Sequence, residues 1–376
     1  MLGIGIIGAT GFIASKYRAE IRQAKGARIV ALCARRQILL NRAAKEDDAE
    51  FTSTDWRSVV EHPDVDLVVV ATPDALHKQA AIACAKANKH IFCEKPIATC
   101  ASDSEIMWAE YRARPHLASF VPFWGRFLDV YIRAKDLVSQ GLIGETRAVI
   151  CRWFNPRPKT MAFTWRDDPG LSASGVIADD GSHFYDLVRW ILDKEAVRVM
   201  SHVRTTTAVK PDLGDLNLIE ALSVEETAQA DPVLRECGTA DFGNVTWEYE
   251  DGTTATMLMS QMPSLRMGFA PEMELHGTKA SLAVDRKSGS LFLLRDSGPP
   301  CLLETHSTES GNRFSKHVLP AVQAAVAGKL NDHPNLRDGH QAQIFLDAPV
   351  KPTQIGDAAR LPACLAGLPR SLRHSP

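Results

Sequence analysis

The chain has 376 residues, 45% of them hydrophobic and 23% charged, with a formal net charge of −2. That is an ordinary globular composition, long enough for two domains, and its balanced charge argues against a nucleic-acid partner. No apolar run approaches the ~20 residues that span a bilayer, and the eight cysteines form no C-x-x-C pair, which reads as reduced thiols in a cytoplasmic protein.

The opening stretch MLGIGIIGATGFIASKY holds two candidate phosphate loops. Gly3, Gly5 and Gly8 satisfy G-x-G-x-x-G, yet Ile4, Ile6 and Ile7 make Leu2 to Ile7 a buried strand. A phosphate loop needs a strand that ends, a tight turn, and a helix whose free N–H groups face the pyrophosphate. Those requirements place the turn at Gly8-Ala9-Thr10-Gly11 and the helix from Phe12 through Gln23. Gly8 then makes the turn, Gly11 lets the backbone approach the phosphates, and Ala14 packs helix on strand. Gly3 and Gly5 become strand positions that something bulky approaches. An ordinary strand–turn–helix is the plain alternative. A strand this early leaves no room for a signal peptide.

Further strands follow at RIVALCARR (28–36), DLVVVATP (66–73), KHIFCEKP (89–96) and LASFVPF (117–123), with a helix over 74–87. Short strands alternating with helices predict a parallel sheet with helices on both faces. Its carboxyl ends, GATG, ARR, ATPDALH and EKP, should line one edge, where such sheets bind ligands. After a helix near 128–140 strands predominate: TRAVICRWF, VRVMSHVRT, GNVTWEYE, TTATMLMSQ, EMELHG, ASLAV and SLFLL, with EDGT (250–253) as a hairpin signal. The prediction is an α/β N-terminal domain over 1–125 and an α+β domain with a large, mostly antiparallel open sheet over 126–345. A Pro-containing tail fills 346–376. The polar stretch 210–238 breaks the strand rhythm and reads as an insertion.

Three groups could do chemistry. Dinucleotide folds end their second strand with an acid for the ribose 2′-hydroxyl, or with an arginine for a 2′-phosphate. Cys33-Ala34-Arg35-Arg36 carries no carboxylate, which favours NADP over NAD, a solvated arginine pair being the bland reading. Glu94-Lys95-Pro96 directly follows a buried strand, so Lys95 lies where a nicotinamide would lie; a plain turn is the alternative. In a helix predicted over 174–192, Asp179, His183 and Asp186 fall at i, i+4 and i+7, on one face. Gly181 inside it costs about 1 kcal/mol relative to Ala, which close approach of a planar ring would explain. Asp and His so placed can orient a hydroxyl and carry its proton, though an incidental ion pair would look the same. Two candidate ligands without an evident third predict no metal.

Together these residues resemble the glucose–fructose oxidoreductase/inositol dehydrogenase (Gfo/Idh/MocA) family. The likeness covers roughly residues 1–345 through GATGFIA, ATPDALH, HIFCEKP, WRDDPGLSASG, DDGSHFYD and ELHGTKASL, and EKP followed by D-x-G-x-H is its specific mark. The resemblance implies that Lys95 and His183 handle the proton while Asp179 holds and polarises the reacting hydroxyl. It implies a cofactor cleft lined by Gly8, Thr10, Gly11, Phe12, Ile13, Thr72, Pro73 and His77. Glu94 and Lys95 would lie beneath the nicotinamide ribose, and Trp165 and Arg166 would reach toward the nicotinamide. It further implies sugar, polyol or cyclic-alcohol substrates and a homodimer or homotetramer formed through the open sheet.

Three features depart from the family pattern: a phosphate loop one residue longer, the 210–238 insertion, and Pro349 and Pro352 interrupting a helix after Asp347-Ala348. The tail beyond, with Pro362, Pro369 and Pro376, should be irregular. The expected activity is NADP-dependent hydride transfer. The rivals are an NAD-retaining glycoside-cleaving enzyme and a non-catalytic dinucleotide-binding sensor.

Overall fold

A computed structural model describes residues 1–172, 174–225, 233–263, 271–296, 298–329, 332–350 and 359–360. Strands β1 (Leu2–Ile7), β2 (Ala27–Cys33), β3 (Phe51–Ser53), β4 (Leu67–Val70), β5 (His90–Cys93) and β6 (Ser119–Phe120) form one parallel sheet in the order β3-β2-β1-β4-β5-β6. Helices α1 (Phe12–Gln23), α2 (Gln37–Asp47), α3 (Trp56–Val60), α4 (His77–Lys86) and α5 (Ala101–Arg112) connect them. Every residue of β4, the apolar run LVVV, is buried, as a strand covered on both faces requires. The strand order reverses between β1 and β4, so their carboxyl ends frame a crevice.

Crowding explains the first two glycines. A methyl group on Gly3 would lie 1.8 Å from Asp64 O, and one on Gly5 would lie 2.6 Å from Val59 Cγ1. Two expectations in this half are shortened. β6 keeps only two residues, because Val121 turns its N–H to Pro334 O and Pro122 has none to give. The helix expected over 74–87 opens with a 3₁₀ turn, Asp74–Leu76, before α4 begins.

After α6 (Asp129–Ser139) come β7 (Thr146–Phe154), β8 (Ala196–Arg204), β9 (Val209–Pro211), β10 (Leu234–Glu236), β11 (Phe242–Tyr249), β12 (Thr254–Ser260), β13 (Met273–Gly277), β14 (Ser281–Asp285), β15 (Ser290–Leu294), β16 (Cys301–Thr305) and β17 (Ala359–Arg360). Nine of them form a second sheet, β16-β15-β14-β13-β7-β12-β11-β8-β17, in which only the β12–β7 pair is parallel. Its strands alternate, β11 burying Gly243, Val245, Trp247 and Tyr249. EDGT is a hairpin turn between β11 and β12, with Gly252 at φ +81°. β16 and β17 had no counterpart in the sequence reading.

The stretch read as one helix over 174–192 is two structures. A π-helical turn, Ile177–Gly181, leads into α7 (Ser182–Leu192). No planar ring explains Gly181: a Cβ there would meet Met259 Sδ of β12 at 3.0 Å, so the glycine seats the turn on the second sheet. The 210–238 insertion has structure of its own. β9 pairs with β10, and α8 (Leu218–Leu222) starts at an Asn217–Glu220 capping box. Helices α9 (Leu319–Val326) and α10 (Leu336–Val350) complete the fold. α10 runs past Pro349 to Val350, against the interruption expected there. Pro352 and most of the tail lie outside the described residues. Among those residues no helix is long and apolar enough to cross a membrane, and Cys33, Cys84, Cys93, Cys100, Cys151, Cys237 and Cys301 are free thiols.

Candidate functional site

The crevice at β1 begins with a turn that favours glycine. Gly8 has φ +85°, and a Cβ on it would lie 2.5 Å from Ala71 O. Gly8 N–H and Ala9 N–H both donate to Cys33 O, and Gly11 N–H donates to Gly8 O, which fixes the loop. Gly11 then caps α1 with no side-chain hydrogen bond, so the first-turn N–H groups stay open to an anion. Gly11, Phe12 and Ile13 line a cavity of about 680 Å³, while Gly8 and Thr10 shape the turn behind it. Thr72 lines it too, and its buried Oγ1 has no hydrogen-bond partner. A glycine turn, an open helix N-terminus and an orphan hydroxyl on one wall fit a dinucleotide.

Pro73 and His77 stand behind that wall rather than in it. His77 is fully buried, with Nε2 2.9 Å from Thr72 O and Nδ1 3.0 Å from Pro96 O. It packs between the two loops that carry Thr72 and Lys95, and because burial lowers its basicity the neutral ring donates to one of the two carbonyls. Glu94 accepts from the Tyr17 hydroxyl and, at 3.2 Å, from Lys95 N–H; burial raises its pKa. Asp74, which the sequence reading passed over, lines the cavity and accepts from the Ser172 hydroxyl at 2.9 Å. Burial pushes it up to about 7.

At the far end the two sheets' elements meet. Lys95 Nζ donates to Asp179 O at 2.6 Å and lies 3.5 Å from Asp179 Oδ1. Arg157 Nη2 stands 3.3 Å and Gln261 Nε2 3.2 Å from Asp179 Oδ2, with Arg166 Nε 3.9 Å from Oδ1. Burial disfavours the Asp179 carboxylate, but Lys95, Arg166 and Arg157 together outweigh it and hold the group below the usual range. Its neighbour Asp180 is pushed up to about 7, by burial and then by the Asp179 charge. His183 is driven well below its ordinary value by burial and then by Lys95, so its ring is neutral. Among the described residues it makes no hydrogen bond, only an edge contact with Phe123 at 6.2 Å.

Asp186 does not join them. It is 1% exposed and is held by Arg126 Nε at 2.8 Å, away from the cavity. A π turn carries an extra residue, so it resets the helix face between Asp179 and the residues after it. Only Asp179 and His183 of the predicted trio face the cleft.

Trp165 and Arg166 line the cavity from a 3₁₀ turn closed by a Thr164–Asp167 capping box, with the guanidinium 4.3 Å over the indole. The insertion braces that turn through Lys210–Asp167 at 2.6 Å, and just beyond it the Thr239 hydroxyl donates to Arg166 O at 2.8 Å. It also reaches the first sheet: Asp215 lies 2.7 Å from Arg35 Nη2, and Glu220 lies 3.1 Å from Arg36 Nη1. Both arginines are therefore engaged by carboxylates, and neither lines the cavity. Tyr17, Arg157 and Gln261 also escaped the sequence reading, since they sit in no motif; Asp180 lay inside one. Among the described residues no cluster of His, Cys, Asp and Glu could hold a metal.

A phosphate cradle and a Lys–Asp–His cluster sharing one cleft define a dinucleotide-binding oxidoreductase architecture. A family model described as an oxidoreductase family with an NAD-binding Rossmann fold matches residues 2–120, and a GFO/IDH/MocA C-terminal domain matches residues 131–283. The chain belongs to the Gfo/Idh/MocA oxidoreductase family. A levoglucosan dehydrogenase of Pseudarthrobacter phenanthrenivorans is 31% identical over 153 residues, 40% of this chain and 39% of that protein. An inositol 2-dehydrogenase of Saccharopolyspora erythraea is 30% identical over 220 residues, 58% of this chain and 62% of that one. Both matches thus span less than two thirds of the relative. A solved levoglucosan dehydrogenase, in complex with NADH and L-sorbose, aligns with a TM-score of 0.78 at 21% identity, covering 96% of this chain and 99% of that one.

Proposed function

We propose that the protein is a nicotinamide-dinucleotide-dependent dehydrogenase acting on a secondary alcohol of a sugar, polyol or related cyclic alcohol, or on the matching carbonyl compound. The observation that carries this reading is the meeting of Lys95, from the end of β5, with Asp179 and His183, from the π turn and α7, across a cleft whose other wall is the phosphate cradle. A bound dinucleotide supplies the hydride acceptor or donor. Neutral His183 takes the hydroxyl proton, the Lys95 ammonium stabilises the developing alkoxide, and ionised Asp179 holds Lys95 in place and orients the hydroxyl. Trp165 and Arg166, in the braced turn, line the same cleft. Relatives named for inositol and levoglucosan support a polyol-like substrate.

We read the dinucleotide as NADP, because the end of β2 offers two guanidinium groups and no carboxylate of its own. A 2′-phosphate would draw Arg35 and Arg36 from Asp215 and Glu220. The open face of the second sheet is where copies of the chain would assemble. The test is to follow absorbance of the reduced nicotinamide with NAD and NADP over a panel of sugars, polyols and their acids. Turnover with NADP ahead of NAD is expected. Tight dinucleotide binding without cofactor reduction on any substrate would overturn the reading.

A further inference from the structure

The cations of the cavity are unequally employed. Lys95, Arg157 and Arg166 converge on Asp179. Arg286, in the turn from β14 to β15, also lines the cavity, yet among the described residues its guanidinium has no carboxylate at ion-pair distance. It lies 4.2 Å over the ring of Trp153, while its backbone N–H donates to Glu272 Oε2 at 2.7 Å. The same end of the cavity holds two orphans: Tyr131 OH and Trp153 Nε1 are both buried without a partner. Burial keeps the Tyr131 phenol protonated, so all three groups are donors. Asp74 and Asp180, both pushed up to about 7, are each about half ionised near neutral pH, and Glu272 and Asp285 also act on Tyr131, so the guanidinium must outweigh these charges.

We propose that the end of the cavity formed by Tyr131, Trp153 and Arg286 binds the anionic group of an acidic sugar derivative, a carboxylate or a phosphate, and that Arg286 sets this specificity. The proposal rests on the reading of the cleft as a carbohydrate site and narrows its substrate class. Arg286 and Trp153 can only donate and the Tyr131 hydroxyl can donate as well, so carboxylate or phosphate oxygens satisfy several of these donors at once. Tyr131, Trp153, Arg286 and His183 line one cavity, so the anion site and the proton acceptor share one compartment. A sugar anchored by its acidic group at Arg286 would present a ring hydroxyl toward His183.

The experiment reads binding, independently of turnover. Enzyme loaded with NADPH or NADH is titrated with D-glucuronate, D-glucose 6-phosphate, D-glucose and myo-inositol, following cofactor fluorescence. At least one anion should bind about 10- to 100-fold more tightly than both neutral compounds, an advantage that shrinks with added salt. The glucuronate and phosphate arms separate the two sources of charge. Arg286→Gln should bring the ratio close to one, and Arg286→Lys should recover part of it, as a point charge without the fork. Absence of an anion advantage overturns the proposal. So does an advantage that survives in Arg286→Gln with an unaltered melting curve. Hydride transfer from the same compounds to oxidised NADP or NAD, in parallel samples, tests the other reading: Arg286-dependent anion binding without transfer removes only the dehydrogenase assignment. Transfer with an Arg286-independent preference removes only the acidic substrate.

Discussion

Two charge clusters sit on the same stretch of chain, one around Asp179 and one around Asp186, and they are built to opposite ends. Arg126 holds Asp186 through Nε at 2.8 Å and also meets Asp338 at 2.8 Å, while Arg189 reaches Asp338 at 2.7 Å. That cluster is closed: its short bonds use up the forked donors, and the Asp186 side chain is 1% exposed. The Asp179 cluster is open. Its ion-pair distances run from 3.3 to 3.9 Å, its carboxylate is 24% exposed, and His183 beside it has no hydrogen bond among the described residues. Saturated charges hold a fold together, and unsaturated ones next to a cavity are available to a ligand. Residue type alone does not distinguish the two.

The largest effects should come from the open cluster and appear in turnover. Lys95→Ala and His183→Ala should each lower kcat by about 10²–10⁴-fold, as expected of a positioned acid or base. The double variant should fall far short of the product, because the two act as a unit. The melting temperature of His183→Ala should hardly move, since among the described residues His183 forms no hydrogen bond that its loss would break. A His183→Ala enzyme that is fully active but less stable would place His183 with the closed cluster instead. The pH profile sharpens the same point. Because burial and Lys95 lower the folded pKa of His183, alcohol oxidation should stay level as pH falls through the ordinary imidazole value of about 6.5, then fail below it. A midpoint at or above that value would mean that another group is the base.

The closed cluster should answer in stability. Arg126→Met strands Asp186 and Asp338 without their shared guanidinium and should cost about 3–5 kcal/mol in denaturant unfolding. Substrate KM and kcat of the folded enzyme should stay near the wild-type values. A variant as stable as the parent would show that the cluster is not what ties this helix down.

Smaller effects belong to the pairs between β2 and the insertion. Arg35→Ala should weaken NADP by about 1.5–3 kcal/mol, roughly one to two decades, and leave NAD almost unchanged. Glu220→Gln should act in the opposite sense, tightening NADP by up to about tenfold, because the phosphate would no longer compete with a carboxylate for Arg36. Equal wild-type affinity for NAD and NADP, measured by fluorescence titration, would refute the NADP assignment.

Local rules made much of the first half legible. Apolar runs marked β1, β2, β4 and β5; the need for a strand to finish before a phosphate turn chose Gly8 and Gly11 over Gly3 and Gly5, and the structure has Gly3 and Gly5 packed too tightly for any side chain. The same motifs marked Lys95, Asp179 and His183, because each lies at a strand end or in a helix that topology turns toward the crevice.

Other features depended on contacts distant in the chain. Nothing near Asp186 announces Arg126 or Asp338, so helical spacing placed it in the site until the π turn and a buried guanidinium took it out. His77 looks like a cleft residue in ATPDALH, yet its ring is buried between two carbonyls that only folding brings to it. Arg35 and Arg36 look free until an insertion some 180 residues away supplies Asp215 and Glu220. The sequence by itself determined strands, turns and candidate chemistry, because periodicity and backbone sterics act over a few residues. Only the tertiary structure decided which charges are satisfied, because partnership between side chains depends on distances that no local pattern encodes.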